Sequence, residues 1–255
     1  MLALLLAGAA ALAAQDTSLR TTDGVKLHAR VEKPAGATKG VVLVHMLGRD
    51  ATDLDYVGEK LARSGLASVA PDLRGHGTSD KAGAALTDGD YLAMVYDVKA
   101  AVAWLRANGV QEVSCLGGSI GANLCLSVAA EDPAMVNVVM LSPGLNYKGI
   151  TAPTALKGYG NRPLLLVASE VDTASARAAA ILEERALGQV HLELYPDAGH
   201  GTKMLNREAS LESLVQSWLI GTYQLGTGEV VVPRPAMGVD GQTMDTEGSK
   251  LQSHE

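Results

Sequence analysis

The residue whose setting most invites chemistry is Ser119, the centre of Gly117-Gly118-Ser119-Ile120-Gly121. This G-x-S-x-G follows an apolar run, 113–116, that reads as a buried strand, and precedes a helical stretch, 122–130. A chain that must pass from strand to helix within so few residues strains the backbone of its middle residue. Glycine at 117 and 121 removes the side chains that would collide in such a turn. The Ser119 hydroxyl is thereby lifted above the sheet edge, towards the space where the first amides of the new helix also point. In a chain with 28 glycines the pattern alone is weak; its position between strand and helix makes Ser119 a candidate nucleophile and the Ile120 N–H a candidate oxyanion donor.

A serine hydroxyl needs a neighbouring base to take its proton. Of the six histidines, His28 and His191 fall in strand patterns, His254 lies in the C-terminal segment, and His45 and His76 sit at strand ends. His200 lies after the last strand in the glycine-flanked loop Asp197-Ala198-Gly199-His200-Gly201, where an imidazole can reach the elbow, and is the expected base.

The elements that must hold these residues follow from periodicity. Residues 17–32 read as a hairpin around Thr22-Asp23-Gly24, with Val25, Leu27 and Ala29 alternating against polar neighbours. Apolar runs at 41–45, 66–70, 113–116, 136–141 and 164–168 predict strands buried on both faces, and 190–194 alternates as a further strand. Between them, Leu54, Val57 and Leu61 share a helical face that stops at Gly65, and Leu92 through Leu105 share another that stops at Gly109. A helix over 176–187 is predicted to end at Gly188, and Leu211, Leu214, Val215, Trp218 and Leu219 mark a last helix. Strands alternating with helices predict one open, mostly parallel, doubly wound α/β domain with an N-terminal antiparallel hairpin.

On these motifs the chain resembles the α/β-hydrolase superfamily over about residues 25–223. It is similar to the compact, lidless dienelactone-hydrolase-like proteins and to the monoglyceride-lipase and serine-aminopeptidase-like branch. Besides the elbow, Val41-Val42-Leu43-Val44-His45-Met46-Leu47-Gly48 resembles the strand and oxyanion loop of that family. Asp72-Leu73-Arg74-Gly75-His76-Gly77-Thr78-Ser79 resembles its D-x-R-G-H-G-x-S turn, and Gly199-His200-Gly201 its histidine loop. The resemblance implies loop-shaping roles for His45 and His76, the N–H of Leu47 as second oxyanion donor, and an acid between the strand at 164–168 and His200. Glu170 and Asp172 both qualify by position; the family's spacing selects Asp172, with Glu170 as fallback. The resemblance departs at Met46, where the family usually has glycine. Dienelactone hydrolases proper carry cysteine, and haloalkane dehalogenases aspartate, where this chain has Ser119.

Composition narrows the rest. With 255 residues and 47% hydrophobic content the chain can bury a sizeable core. A net charge of -7, without a Lys/Arg cluster, argues against nucleic acid as a partner. No Cys/His spacing suits zinc, and neither a metal nor a cofactor is expected. Cys115 and Cys125 read as small buried hydrophobes, with a bridge as the alternative. The apolar run 2–14 is shorter than the roughly 20 residues that span a bilayer, and reads as a signal peptide (1–14) with Ala11-Leu12-Ala13 or Leu12-Ala13-Ala14 at the cleavage site. A buried N-terminal helix is the alternative. A secreted or periplasmic protein without a stable membrane span is therefore expected. The hydrolase domain is assigned to 15–225 and a disordered tail, rich in Gly, Pro, Thr, Asp and Glu, to 226–255. Only about 20 residues separate Leu141 from Leu164, so no large cap domain is expected. The expected function is cleavage of a small ester through an acyl-enzyme. Small-peptide or amide hydrolysis, and a non-catalytic binding role on the same fold, are the alternatives. Nothing in the sequence specifies an oligomeric state.

Overall fold

The computed structural model describes residues 14–223; all of the expected leader but Ala14, and the expected tail, lie outside the described residues. The hairpin comes first, β1 (Gln15–Arg20) and β2 (Lys26–Glu32), turning through Gly24 at φ +92°. It is followed by β3 (Lys39–Val44), a short 3-10 turn (Ala51–Leu54), α1 (Asp55–Arg63), β4 (Ala67–Pro71) and α2 (Asp88–Ala107). Next are β5 (Glu112–Gly118), α3 (Ile120–Glu131), β6 (Met135–Leu141), a small hairpin of β7 (Asn146–Tyr147) and β8 (Ile150–Thr151), and α4 (Ala152–Tyr159). The described part closes with β9 (Leu164–Ser169), α5 (Thr173–Arg185), β10 (Val190–Tyr195), a second 3-10 turn (Gly201–Met204) and α6 (Ala209–Ile220).

The main sheet runs β1-β2-β4-β3-β5-β6-β9-β10, and only β2 pairs antiparallel, with β1 and β4. The expected mostly parallel α/β fold is present, with no large cap between β6 and β9. Period-two alternation sends the side chains of one strand to two cores. Val42, Val44, Val138, Met140, Leu166 and Ala168 face the side covered by α2, α3, α4 and α5. Val41, Leu43, Leu116, Val139, Leu165 and Val167 face the side covered by α1 and α6. Burying each large aliphatic side chain contributes about 1.5–3 kcal/mol, which explains why these strands read as continuous apolar runs.

Chain order reverses at β3, which lies between β4 and β5, and in open α/β sheets ligands bind outside the carboxyl ends of strands at such a switch point. The register puts Val44 beside Gly117, so the loop after β3 and the turn after β5 leave the sheet side by side. Among the described residues no helix is long and apolar enough to cross a membrane.

Three expectations change. Gly65 (φ +82°) and Gly109 (φ +90°) follow α1 and α2 as helix-ending glycines, but Gly188 does not end α5. That helix stops at Arg185 with Ala186 already extended, and Gly188 is small because the carbonyl of Asn161 occupies the place of a Cβ. Its start also moves, from 176 to Thr173, because the Asp172 side chain caps it. Cys115 and Cys125 are fully buried, yet bonded to each other: α3 folds back along β5 after the turn and brings their Cα atoms to 5.5 Å.

Candidate active site

Ser119 joins β5 to α3 with φ +54° and ψ -119°, a conformation that non-glycine residues adopt only when their surroundings enforce it. Enforcement comes from both sides. The Ser119 N–H donates to the Leu141 carbonyl at 2.8 Å, and its own carbonyl accepts from Ala122 N at 3.0 Å. A Cβ on Gly117 would strike the carbonyl of Gly121, and one on Gly121 would lie 2.5 Å from the Val44 carbonyl. Gly118 matters too, since a Cβ there would come within 2.8 Å of Thr202 N, in the loop just past His200. The histidine loop therefore lies directly on the last residue of β5. Ile120 opens α3, so its N–H has no partner inside the helix.

Asp172 is held as a helix cap. Its side chain accepts from Ser175 N at 3.3 Å and its N–H donates to the Ser169 carbonyl at 3.0 Å. The other carboxylate oxygen accepts from His200 Nδ1 at 2.6 Å. Burial pushes the Asp172 carboxyl up, but the bonds from His200 and Ser175 outweigh it and hold the group below the usual carboxylate range. A carboxylate can only accept here, so Nδ1 of His200 carries a proton, and it is in the neutral imidazole that Nε2 keeps its lone pair. Ser169 Oγ accepts from Ala198 N at 3.0 Å, tying the end of β9 to the same loop. Glu170 is exposed, and its backbone N–H donates to the Tyr195 carbonyl at 2.7 Å.

The loop after β3 carries Leu47, partly buried, and turns with the Arg49 N–H donating to the Met46 carbonyl at 3.2 Å. His45 shapes its base: Nδ1 donates to the Met46 carbonyl at 2.8 Å, and Nε2 accepts from Leu73 N at 3.0 Å. Both ring nitrogens are thus used by the neutral form, and complete burial lowers the pKa to about 4. Met46, the departure from the family pattern, is buried with its sulfur against Gly201, where a Cβ would come within 2.6 Å. It fills the space beneath the histidine loop.

The Asp72 to Ser79 turn is an anchor rather than a reactive element. Asp72 accepts from Ala51 N at 2.8 Å, Thr78 N at 2.9 Å and His28 Nδ1 at 2.9 Å. Fully buried Arg74 bridges Asp97 at 2.7 Å and Asp23 at 2.6 Å, and its hydrogen bonds hold Asp23 down at about 2. His76 lies against His45 with the rings tilted and their centroids 5.1 Å apart. His28 and His191 are paired strand residues, with Asp72 and Glu193 respectively.

His45 makes stability depend on pH. Unfolded, it binds a proton below about pH 6.5; folded, only below about 4. The unfolded state therefore holds more protons in that window, and stability falls as pH drops through it. Between pH 6.5 and 5 the loss is expected to reach roughly 2 kcal/mol. Urea unfolding at several pH values checks this, and His45→Gln should flatten that part of the curve.

Sequence reasoning passed over Ser142, Thr202 and Asp53, and noted Met46 only as a departure from the family pattern. Ser142 follows β6 with φ +50°, and its Oγ accepts from Gly201 N at 2.9 Å. A signal for Met46 was present in Gly201, a glycine required by a neighbour distant in sequence.

The sequence model of the family described as serine aminopeptidase, S33, matches residues 36–160. A serine hydrolase-like protein of Dictyostelium discoideum is 27% identical over 128 residues, 49% of this chain and 34% of that one. The chain spans about a third of the length of the curated relatives it matches. Among solved structures, the Pyrococcus furiosus esterase Pf2001 superposes with a TM-score of 0.68 at 23% identity, over 82% of this chain and 92% of the other. A dienelactone hydrolase from Anabaena variabilis superposes with a TM-score of 0.65 at 21% identity, over 83% and 100%.

Proposed function

We propose that this chain, which has the α/β-hydrolase fold, is a serine hydrolase cleaving carboxylic esters through an acyl-enzyme. The observation that carries the reading is the strained Ser119 beside a histidine loop whose imidazole is already oriented by Asp172. In the proposed sequence, His200 Nε2 takes the proton of Ser119 as Oγ attacks the ester carbonyl carbon. The resulting oxyanion accepts from the N–H groups of Ile120 and Leu47. His200 then returns the proton to the departing alcohol, leaving the acyl group on Ser119. A water molecule, deprotonated by the same imidazole, releases the acid and restores the serine. Asp172 keeps the proton on Nδ1 and stabilises the imidazolium that forms twice per turnover.

Amide or small-peptide hydrolysis is the second reading, favoured by the description of the matching family. Capture of a free amino terminus calls for an uncompensated carboxylate at the site. Asp53, the acid beside the histidine loop, is engaged by Arg49 and Thr202, which favours esters. We also read the chain as exported on the 1–14 leader, with a domain over 15–225 and a tail over 226–255. The Cys115–Cys125 bond supports that reading, since disulfides persist in oxidising compartments.

A panel of p-nitrophenyl esters from acetate to decanoate, set against aminoacyl p-nitroanilides, tests the assignment. Short esters are expected to give the highest kcat/KM. Faster anilide cleavage moves the function to the peptidase reading. If neither class is turned over and no fluorophosphonate reacts, a binding role on the same fold is what remains.

A further inference from the structure

The proposed base and one proposed oxyanion donor stand on loops that leave strands on opposite sides of β5, His200 after β10 and Leu47 after β3. Nothing in the sheet itself fixes the distance between two such loops. A polar chain does so. Thr202 Oγ1 donates to Asp53 Oδ2 at 2.9 Å, and Arg49 Nε donates to both oxygens of the same carboxylate, at 2.8 and 2.7 Å. Asp53 belongs to the 3-10 turn that continues the Leu47 loop, and Thr202 follows His200 by two residues. Thr202 is buried to 2% exposure, with its backbone N and its Cγ2 pressed on Gly118. The Asp53 side chain is 9% exposed; burial pushes its carboxyl up, but Arg49 and Thr202 hold it below its usual range. Beneath this chain the Met46 sulfur fills the hollow under Gly201.

We propose that Thr202 and Asp53, with Arg49 behind them, are positioning residues for His200: they clasp the histidine loop to the oxyanion loop across Ser119. The inference rests on the serine hydrolase reading. Its physical basis is that a reacting group displaced by about 1 Å can cost on the order of a hundredfold in rate. A hydrogen bond to a charged, partly buried carboxylate is among the stronger ones a side chain makes, and is strong enough to hold a loop to that tolerance.

Thr202→Val removes the donated proton while keeping a methyl group against Gly118, and Thr202→Ser keeps the proton. On a short p-nitrophenyl ester, Thr202→Val is expected to lower kcat roughly tenfold or more with KM within about twofold of wild type. Thr202→Ser should restore most of the loss. Amide hydrogen exchange across 199–205 should speed up in Thr202→Val and not in Thr202→Ser. Asp53→Asn, close in shape to the native residue, carries the same kinetic and exchange tests should Thr202→Val fail to fold. Equal kcat and equal exchange in wild type and Thr202→Val overturn the clasp, as does an equal loss in Val and Ser variants. If wild type itself shows no Ser119-dependent turnover, the enzymatic reading falls, and the exchange measurement still decides whether the loops are coupled.

Discussion

Ser119→Ala is expected to lower kcat for a p-nitrophenyl ester by a factor on the order of 10⁶ and to abolish labelling by a fluorophosphonate. The substitution removes one oxygen from a residue only 7% exposed. It leaves the backbone donors and the His200–Asp172 pair in place, so any remaining rate measures what the oxyanion site and binding accomplish without a nucleophile. Alanine at φ +54° meets the same backbone strain as serine, so stability should change little. A mutant that still takes the label, or that retains turnover within tenfold of wild type, removes Ser119 from the chemistry. The informative comparison is at equal folded concentration, checked by the melting transition.

Asp172→Asn is the second large effect: a fall in kcat of about 10,000-fold, with little change in KM. An amide at this position can donate to His200 Nδ1 as well as accept from it. If it donates, the imidazole proton moves to Nε2, the nitrogen that must be free to deprotonate Ser119. The cost to folding is smaller. Asparagine is also a good helix cap and can keep the bond from Ser175 N, and the loss of charge at the start of α5 is worth about 0.3–1 kcal/mol. Glu170→Gln should leave turnover near wild type, because the Glu170 side chain points into solvent while Asp172 reaches the imidazole. The reverse ranking of the two variants would hand the orienting role to Glu170.

The sequence was most legible where structure is decided by neighbours along the chain. Buried strands announce themselves by apolar runs, α1 and α2 by the glycines that follow them, and the elbow by Gly117, crowded by residues only a few positions away, although Gly121 in the same motif is crowded by the distant Val44 carbonyl. His200 was singled out by its loop and Asp172 by the family's spacing, and the two side chains are hydrogen-bonded to each other. What stayed hidden depends on which distant segments meet. Gly118 is glycine because of Thr202, Gly201 because of Met46, and Gly188 because of Asn161. Each of these reads as a generic loop or cap residue until the partner is known. The cysteines failed in the same way: apolar neighbours predicted burial correctly, but only the path of α3 across β5 brings the two sulfurs together. Met46, a departure from the usual loop sequence, proved to be half of a matched pair.

The bond between Cys115 and Cys125 closes a small covalent ring, and Ser119 stands inside it. Quality control of the proposed nucleophile is thereby linked to oxidation. A chain that has not been oxidised must hold its most contorted residue by packing alone. An oxidised one cannot relax that bend by letting the helix slide away from the strand. In the proposed mechanism, maturation of the Ser119 hydroxyl into a nucleophile is partly a redox event.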